Sequence, residues 1–142
     1  MAAEEKTTPP RHIRLHNKSG ECIRLYEFLA DSLENLPVNK EFKHDLKLVS
    51  EELLANIINH GYEQTIEGCI DIELVADEHC VRITFTDAAK AFNPLERAQP
   101  AILNDLAEGG MGLLLVKSLT DEQFYKRENN HNVFTITKNY NK

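Results

Sequence analysis

The chain of 142 residues has the length of one ordinary domain, and its 42% hydrophobic and 27% charged residues are typical of a folded globular protein. A formal net charge of −7 argues against nonspecific binding to nucleic acid, and no apolar run is long enough to cross a bilayer. The three cysteines form no C-x-x-C pair, which argues for a reducing compartment and against a zinc site. We therefore expect a cytoplasmic protein with a disordered tail at residues 1–10 and a single domain at residues 11–142.

The first part of the chain predicts a strand and two helices. Residues 11–18 alternate apolar and polar side chains, as in a half-buried strand, and apolar residues recur at helical spacing over residues 19–35. A second helix is expected to begin after Asn39, a favoured N-cap residue, and to end at Gly61. Its apolar residues step by four, three, four and four and so form one stripe: Phe42, Leu46, Val49, Leu53 and Ile57.

The middle of the chain predicts a hairpin followed by a long loop. Residues 66–75 and 80–86 are rich in β-branched and apolar side chains, and the turn-forming residues 76–79 join them. Residues 88–108 contain two prolines and no sustained period, which is long for a connection in a small domain. A loop of this length is typical of a functional lid or of a disordered segment.

The last part of the chain predicts a helix and a second hairpin. A glycine-rich segment, residues 109–112, precedes an apolar helix over residues 113–119. Strands are expected over residues 122–126 and 133–138, with a turn at residues 129–130. This order of elements indicates an α+β sandwich, with helices covering one face of a mixed, mostly antiparallel sheet.

Three polar residues of the second helix could take part in binding or catalysis. Glu52, Asn56 and His60 follow one another at i, i+4 and i+8 and so lie on one flank of the helix. A carboxylate and an amide placed in this way can hold a hydrated Mg²⁺ and orient a nucleophile. The alternative is an amphipathic helix with polar residues at its boundary. Taken alone, the spacing favours that alternative.

Two further positions are ambiguous when considered one at a time. Asp87 ends a strand, where a side chain can meet a ligand or can start a turn by accepting a hydrogen bond from its own backbone. Glycines before a helix, as at residues 109–112, let backbone N–H groups approach a phosphate, or they form a hinge. The segment is neither a P-loop nor a dinucleotide-binding fingerprint, because the residues that complete those motifs are missing.

In combination, the motifs resemble those of the GHKL ATPases in order and spacing. Residues 50–62 resemble the N-box, residues 87–94 the G1 box, residues 109–121 the G2 box, and residues 132–138 the closing strand. The short length, the His-Gly-Tyr end of the N-box and the Phe-Asn-Pro after G1 are similar to the anti-sigma-factor serine kinases of that superfamily. The resemblance covers about residues 11–138.

The resemblance implies a Bergerat α/β sandwich that binds ATP between its helices and a mobile lid. By this resemblance Asn56 would coordinate Mg²⁺, Glu52 would accept the proton of an incoming serine hydroxyl, and Asp87 would bind the adenine amino group. The G1 box normally reads Asp-x-Gly, and Ala89 stands at its third position, which puts the nucleotide affinity in question. Further nucleotide contacts would come from Phe92, Gly110, Gly112 and Thr135, and a partner contact from Arg24.

The function implied by the resemblance is that of a switch with two protein partners. The chain would bind a sigma factor when ATP is bound and would phosphorylate an anti-sigma-factor antagonist on serine. A homodimer is expected, with no direct contact to nucleic acid or membrane. The alternatives are a nucleotide-binding module without kinase activity, a kinase of a stress-signalling complex that binds no sigma factor, and the ATPase domain of a histidine kinase. The last is disfavoured because no dimerisation helix with an acceptor histidine precedes the domain.

Overall fold

Five strands form one sheet in a computed structural model that describes residues 8–62, 67–97 and 111–140. The strands are β1 (Arg11–His16), β2 (Cys69–Ala76), β3 (Cys80–Asp87), β4 (Glu122–Glu128) and β5 (His131–Asn139). Their order in the sheet is β1-β2-β3-β5-β4. All four pairings are antiparallel, so the parallel component expected of a mixed sheet is absent among the described strands. Two tight hairpins fix half of these pairings locally, and the longer connections return the chain in the opposite direction.

In the described part of the chain, three helices pack against one face of the sheet. They are α1 (Cys22–Leu33), α2 (Lys40–Asn56) and α3 (Met111–Leu119), and α2 contacts both of the others. A 3₁₀ turn, Ser19–Glu21, precedes α1, and another, Pro94–Arg97, follows β3. The predicted α+β sandwich with helices on one face is confirmed.

The predicted apolar stripe of α2 forms the centre of the core. Phe42, Leu46, Val49 and Leu53 are all buried, and they pack against the inward side chains of the strands. The helix begins where predicted, because the side chain of Asn39 accepts a hydrogen bond from the Phe42 amide at 2.8 Å. The stripe thereby fixes which flank of α2 faces the end of the sheet.

The opposite face of the sheet carries polar side chains. Arg14 of β1 forms an ion pair with Asp71 of β2 at 2.7 Å, and the hydroxyls of Thr84 and Thr135 lie 3.0 Å apart across β3 and β5. This alternation of buried and polar residues is what a period of two predicts for a sheet covered on one side.

The backbone is hydrogen-bonded before β1 begins, and the turn between β4 and β5 lies at the predicted residues. Residues 1–7 of the predicted disordered tail lie outside the described residues, but the Thr8 amide donates to the Ala76 carbonyl at 2.9 Å, so order begins before β1. Asn129 and Asn130, in the predicted turn, have φ of 52° and 61°, as a two-residue hairpin requires. Among the described residues, no helix is long and apolar enough to cross a membrane.

Candidate functional site

A small cavity of about 30 Å³ lies between α2 and the end of the sheet where β3 finishes. It is lined by Leu53, Asn56, Ile57, Gly61, Phe85, Asp87, Phe92, Pro94, Tyr125, Asn132 and Phe134. Three of the sequence-predicted site residues, Asn56, Asp87 and Phe92, are therefore brought together. A volume of this size is enough for a water molecule or a small polar group.

The α2 wall of the cavity carries a polar group without a partner. The Asn56 side-chain nitrogen is buried and has no hydrogen-bond partner among the described residues. Buried amides are almost always satisfied, and an unpaired one costs free energy, so this side chain has a donor available to a ligand. Glu52, one turn earlier and half-buried, has no hydrogen-bond or ion-pair partner within the described ranges.

Beyond Asn56 the helix changes its form. Residues Ile57–Gly61 make a π-helical turn, which the Tyr62 amide closes by donating to the Ile57 carbonyl at 3.3 Å. α-helical spacing does not extend past Asn56, and the His60 side chain lies outside the described part of the chain, so its alignment with Glu52 and Asn56 stays a prediction. Such π turns are common at functional sites, where they re-aim the residues that follow.

Tyr62 connects this turn to the strand end. Its hydroxyl donates to the Cys69 carbonyl at 2.8 Å and accepts a hydrogen bond from the Ala88 amide at 2.8 Å. Burial raises the pKa of the hydroxyl above its ordinary value, which keeps it protonated as a donor. One side chain thus joins the end of α2, the start of β2 and the loop after β3.

Asp87 is a buried carboxylate, 5% exposed, at the end of β3. Its Oδ1 accepts hydrogen bonds from the Ala89 amide at 3.0 Å and from the Asn132 side chain at 2.9 Å. Burial raises the pKa of the carboxyl, while these two hydrogen bonds and the charges of Arg127 and His131 lower it in part. A buried acceptor of this kind is suited to recognise a single N–H donor on a ligand.

Ala89 packs away from the cavity. It is 4% exposed, and a methyl group built on Gly61 would lie 3.2 Å from its Cβ, so the two residues face each other closely. Neither the Ala89 side chain nor its backbone lines the cavity. The replacement of the usual glycine is accommodated by a glycine at position 61.

The hairpin of β4 and β5 supplies residues that sequence reasoning missed. Asn132 donates to Asp87 and to the Lys90 carbonyl, the latter at 2.8 Å, and accepts from the Phe92 amide at 3.1 Å. Arg127 donates to the Ala89 carbonyl at 2.7 Å. The cross-strand pairing of Asp87 with Asn132 in β5 is the signal that could have found Asn132, but that pairing is not visible in the sequence.

The remaining predicted site residues have different outcomes. Thr135 lies on the face of the sheet opposite the helices, because it alternates with the inward Phe134, and the structure does not bring it to the cavity. Gly112 is the second residue of α3, whereas Gly110 lies outside the described residues, as do residues 98–108 of the predicted lid. Arg24 is on an exposed part of α1, ion-paired with Glu21 at 3.0 Å and distant from the lining of the cavity.

Comparison with known proteins identifies the family of this chain. Residues 17–138 match the family model of the histidine kinase-like ATPase domain. The chain belongs to this family. The resemblance deduced from the N-box, G1 and G2 motifs is thereby confirmed.

Relatives place the chain more narrowly. It is 30% identical over 109 residues to the anti-sigma F factor of Bacillus subtilis, covering 75% of this chain and 72% of that protein. The anti-sigma F factor of a Bacillus thuringiensis strain is 33% identical over the same length. A crystal structure of the RsbU and RsbW domains of a Mycobacterium tuberculosis protein superposes with a TM-score of 0.65 at 20% identity, covering 92% of this chain and 32% of that one. That likeness shows the fold.

The residues present fit an adenine nucleotide with a metal ion held largely by the nucleotide. The described residues include no group of three or more His, Cys, Asp or Glu side chains that could hold a metal on their own. The oxygen of the Asn56 amide would offer a single ligand position, whereas the unpartnered nitrogen is a hydrogen-bond donor. Mg²⁺ commonly takes one or two protein ligands and completes its shell with water and phosphate oxygens.

Proposed function

We propose that the chain is an ATP-dependent protein serine kinase that also binds a sigma factor and phosphorylates an antagonist of that binding. Membership of the histidine kinase-like ATPase family and similarity to proteins named anti-sigma F factors support this proposal. The observation that carries it is one cavity with the buried Asp87 carboxylate on one side and the unpartnered Asn56 amide on the other.

The proposed nucleotide position follows from these two groups. The Asp87 carboxylate would accept a hydrogen bond from the adenine amino group, with Phe92 beside the base. Asn56 would hold Mg²⁺, which when bound neutralises negative charge on the phosphates. Free amides at the start of α3, near Gly112, would lie toward the phosphates, as helix N-termini often do.

Glu52 is the proposed base. A serine hydroxyl attacks the γ-phosphorus of ATP, the bond to the leaving ADP breaks, and the Glu52 carboxylate takes the hydroxyl proton. Its carboxylate is free among the described residues and lies one helical turn from Asn56. Glu51 is about 100° further round the helix. It lies beside Cys22 and Tyr26 of α1, where burial and the Glu51 carboxylate raise the pKa of both groups.

The proposed protein partners bind elsewhere on the surface. Arg24 and Ile23 lie on the exposed side of α1, with the side chain of Arg24 49% exposed and Ile23 64% exposed. We assign to this side of α1 a contact with the sigma factor and the antagonist, in a homodimer of the chain. Arginine is enriched at protein interfaces, which supports the choice of this side of α1.

The test is transfer of labelled phosphate from ATP to proteins captured on the immobilised chain from a lysate of its source organism. The wild-type chain is expected to label a small protein on serine and to retain a sigma factor when ATP is present. Glu52→Ala should slow transfer by about 10²–10⁴-fold, the usual contribution of a general base, while its affinity for Mg-ADP stays close to that of the wild type.

Glu51→Ala is the matched control, because it removes a neighbouring carboxylate that faces α1. Its transfer rate should equal that of the wild type. An inactive Glu51→Ala with an active Glu52→Ala would reverse the assignment of the base. A wild-type chain that binds Mg-ADP but transfers no phosphate would instead favour a nucleotide-binding module without kinase activity.

A further inference from the structure

Asn132 uses its whole side-chain amide on the surroundings of Asp87. It stands at the start of β5, directly opposite Asp87 in the strand register, and is 5% exposed. Its nitrogen donates to Asp87 Oδ1 at 2.9 Å and to the Lys90 carbonyl at 2.8 Å. Its oxygen accepts from the Phe92 amide at 3.1 Å and from the Tyr125 hydroxyl at 2.5 Å. A side chain with both its donors and its acceptor engaged has one orientation.

These contacts fix the loop of residues 88–92 as well as the carboxylate. The loop leaves β3 at Asp87 and is held from the hairpin side by Asn132 and by Arg127, which donates to the Ala89 carbonyl at 2.7 Å. On the other side, the Ala88 amide donates to the Tyr62 hydroxyl. Within the described residues, every hydrogen bond to the Asp87 carboxylate goes to Oδ1. Oδ2 therefore remains for a ligand.

We infer that Asn132 is a positioning residue for nucleotide binding, which orients the Asp87 carboxylate and holds the 88–92 loop so that Asp87 Oδ2 can accept the base amino group. This inference rests on the proposed nucleotide site. Asn132 itself would not contact the base, because its amide nitrogen and oxygen already form hydrogen bonds within the protein. A residue that acts through Asp87 in this way affects the orientation of the Asp87 carboxylate. It also affects the pH range in which that carboxylate is ionised.

The pKa of Asp87 provides a measurement that separates a positioning role of Asn132 from a purely structural role. The titratable and charged groups facing the carboxyl are Arg127 of β4, His131 of β5 and Tyr62 after the π turn. The hydrogen bond from Asn132 lowers the pKa of Asp87 against the effect of burial. Without it the pKa rises further, so the carboxylate is lost at a higher pH. Affinity for a ligand amino group should therefore begin to fall at a higher pH on acidification.

Two substitutions separate the donor from the rest of the side chain. Asn132→Leu removes every hydrogen bond with little change in volume. Asn132→Asp keeps the acceptor for Phe92 and Tyr125 but replaces the donor to Asp87 with an oxygen, and it tests the inference if the leucine variant fails to fold. Thr84→Val is the control, because it removes a hydrogen bond between β3 and β5 on the opposite face of the sheet.

The measurement is the affinity for Mg-ADP between about pH 4 and pH 8, beside the titration of the Asp87 carboxyl carbon by NMR in the nucleotide-free protein. Both Asn132 variants should bind Mg-ADP at least about tenfold more weakly at pH 7, as loss of a charge-assisted hydrogen bond implies. In both variants, the fall in Mg-ADP affinity on acidification and the titration of Asp87 should shift to higher pH. Thr84→Val should match the wild type in affinity and in the Asp87 titration.

The outcomes distinguish the inference from the function on which it rests. A wild-type protein that fails to bind Mg-ADP at every pH overturns the nucleotide site and the inference with it. Wild-type binding with an unchanged Asp87 titration in the Asn132 variants overturns the inference alone. A loss of affinity that is equal at every pH also overturns it, since that result is what a purely structural residue gives.

Discussion

The Asp87 carboxylate is held in a position that costs stability. Its pKa is raised mainly by burial, so keeping it ionised in the folded protein at neutral pH is unfavourable relative to the unfolded chain. Both hydrogen bonds that it accepts reach Oδ1. An asparagine at this position could accept both of them through its own oxygen without carrying a charge.

We therefore predict that Asp87→Asn is more stable than the wild type at neutral pH, by about 0.5–2 kcal/mol, which is common for a stabilising substitution. A carboxyl with a raised pKa contributes favourably only below its unfolded-state pKa and loses that contribution as pH rises through the folded-state pKa. The gap between the variant and the wild type should thus shrink as the pH falls from neutral toward about 4, the pKa of an aspartate in the unfolded chain, and should stay constant below it.

Urea unfolding of both proteins at several pH values measures this difference. If the wild type is more stable than Asp87→Asn at pH 7, the prediction is contradicted. The hydrogen bonds and nearby charges would then stabilise the Asp87 carboxylate by more than burial destabilises it. Asp71, whose carboxylate forms an ion pair with Arg14 at 2.7 Å on the open face, provides the control, since Asp71→Asn should bring no gain in stability.

At this same scale, the sequence predicted the motif residues but not their partners. Asn56 and Asp87 were found because their types and spacing recur in a known motif. Asn132 and Thr135 are three residues apart on one strand and hence face opposite sides of the sheet, which a period of two makes plain once the register is known. The sequence fails at this point because cross-strand pairing depends on contacts far apart in the chain.

At the scale of elements, the π turn after α2 and the loop after β3 meet through two small residues. Gly61 ends the π turn, and Ala89 lies in the loop, with a methyl built on Gly61 only 3.2 Å from the Ala89 Cβ. That separation is tighter than ordinary carbon contacts. The Ala89 backbone cannot retreat easily, because the Ala89 amide donates to Asp87 and its carbonyl accepts from Arg127.

Gly61→Ala should accordingly destabilise the protein by about 1–3 kcal/mol, the usual cost of overpacking, and should displace the loop that presents Asp87. Ala89→Gly should leave nucleotide affinity unchanged or raise it, and in that background the cost of Gly61→Ala should largely disappear. A double-mutant cycle by chemical denaturation measures the coupling. Additive free-energy changes for the two substitutions would show that these elements do not press against each other.

The elements themselves were largely predictable, and the exceptions have local causes. The stripe of α2 and its Asn39 cap are visible because apolar spacing and capping chemistry are both local. The π turn is not visible, because its residues have the same apolar and polar types that an α-helix would have. The turn is followed by Tyr62, whose side chain connects the helix end to β2 and to the loop after β3 through contacts that are distant in the chain.

At the scale of the whole molecule, the site exists because of the strand order. β5 lies between β3 and β4, which brings Asn132 opposite Asp87 and the β4–β5 hairpin against the loop after β3. The two α2 residues of the site reach the same end of the sheet because the α2 stripe fixes the rotation of the helix. The sequence predicted the sandwich, whereas this order depends on pairing between distant segments.

We propose that this cavity recognises adenine through the Asp87 carboxylate. Isothermal titration with Mg-ADP and with Mg-inosine diphosphate tests it, since inosine carries an oxygen acceptor where adenine carries the amino donor. The wild-type protein should bind Mg-ADP at least about tenfold more tightly, because the inosine oxygen would place a second acceptor against Asp87 Oδ2 and could donate no hydrogen bond to it. Asp87→Asn, whose amide can donate as well as accept, should lose this preference. Equal affinity of the wild type for the two nucleotides, or no binding of Mg-ADP, would contradict the account.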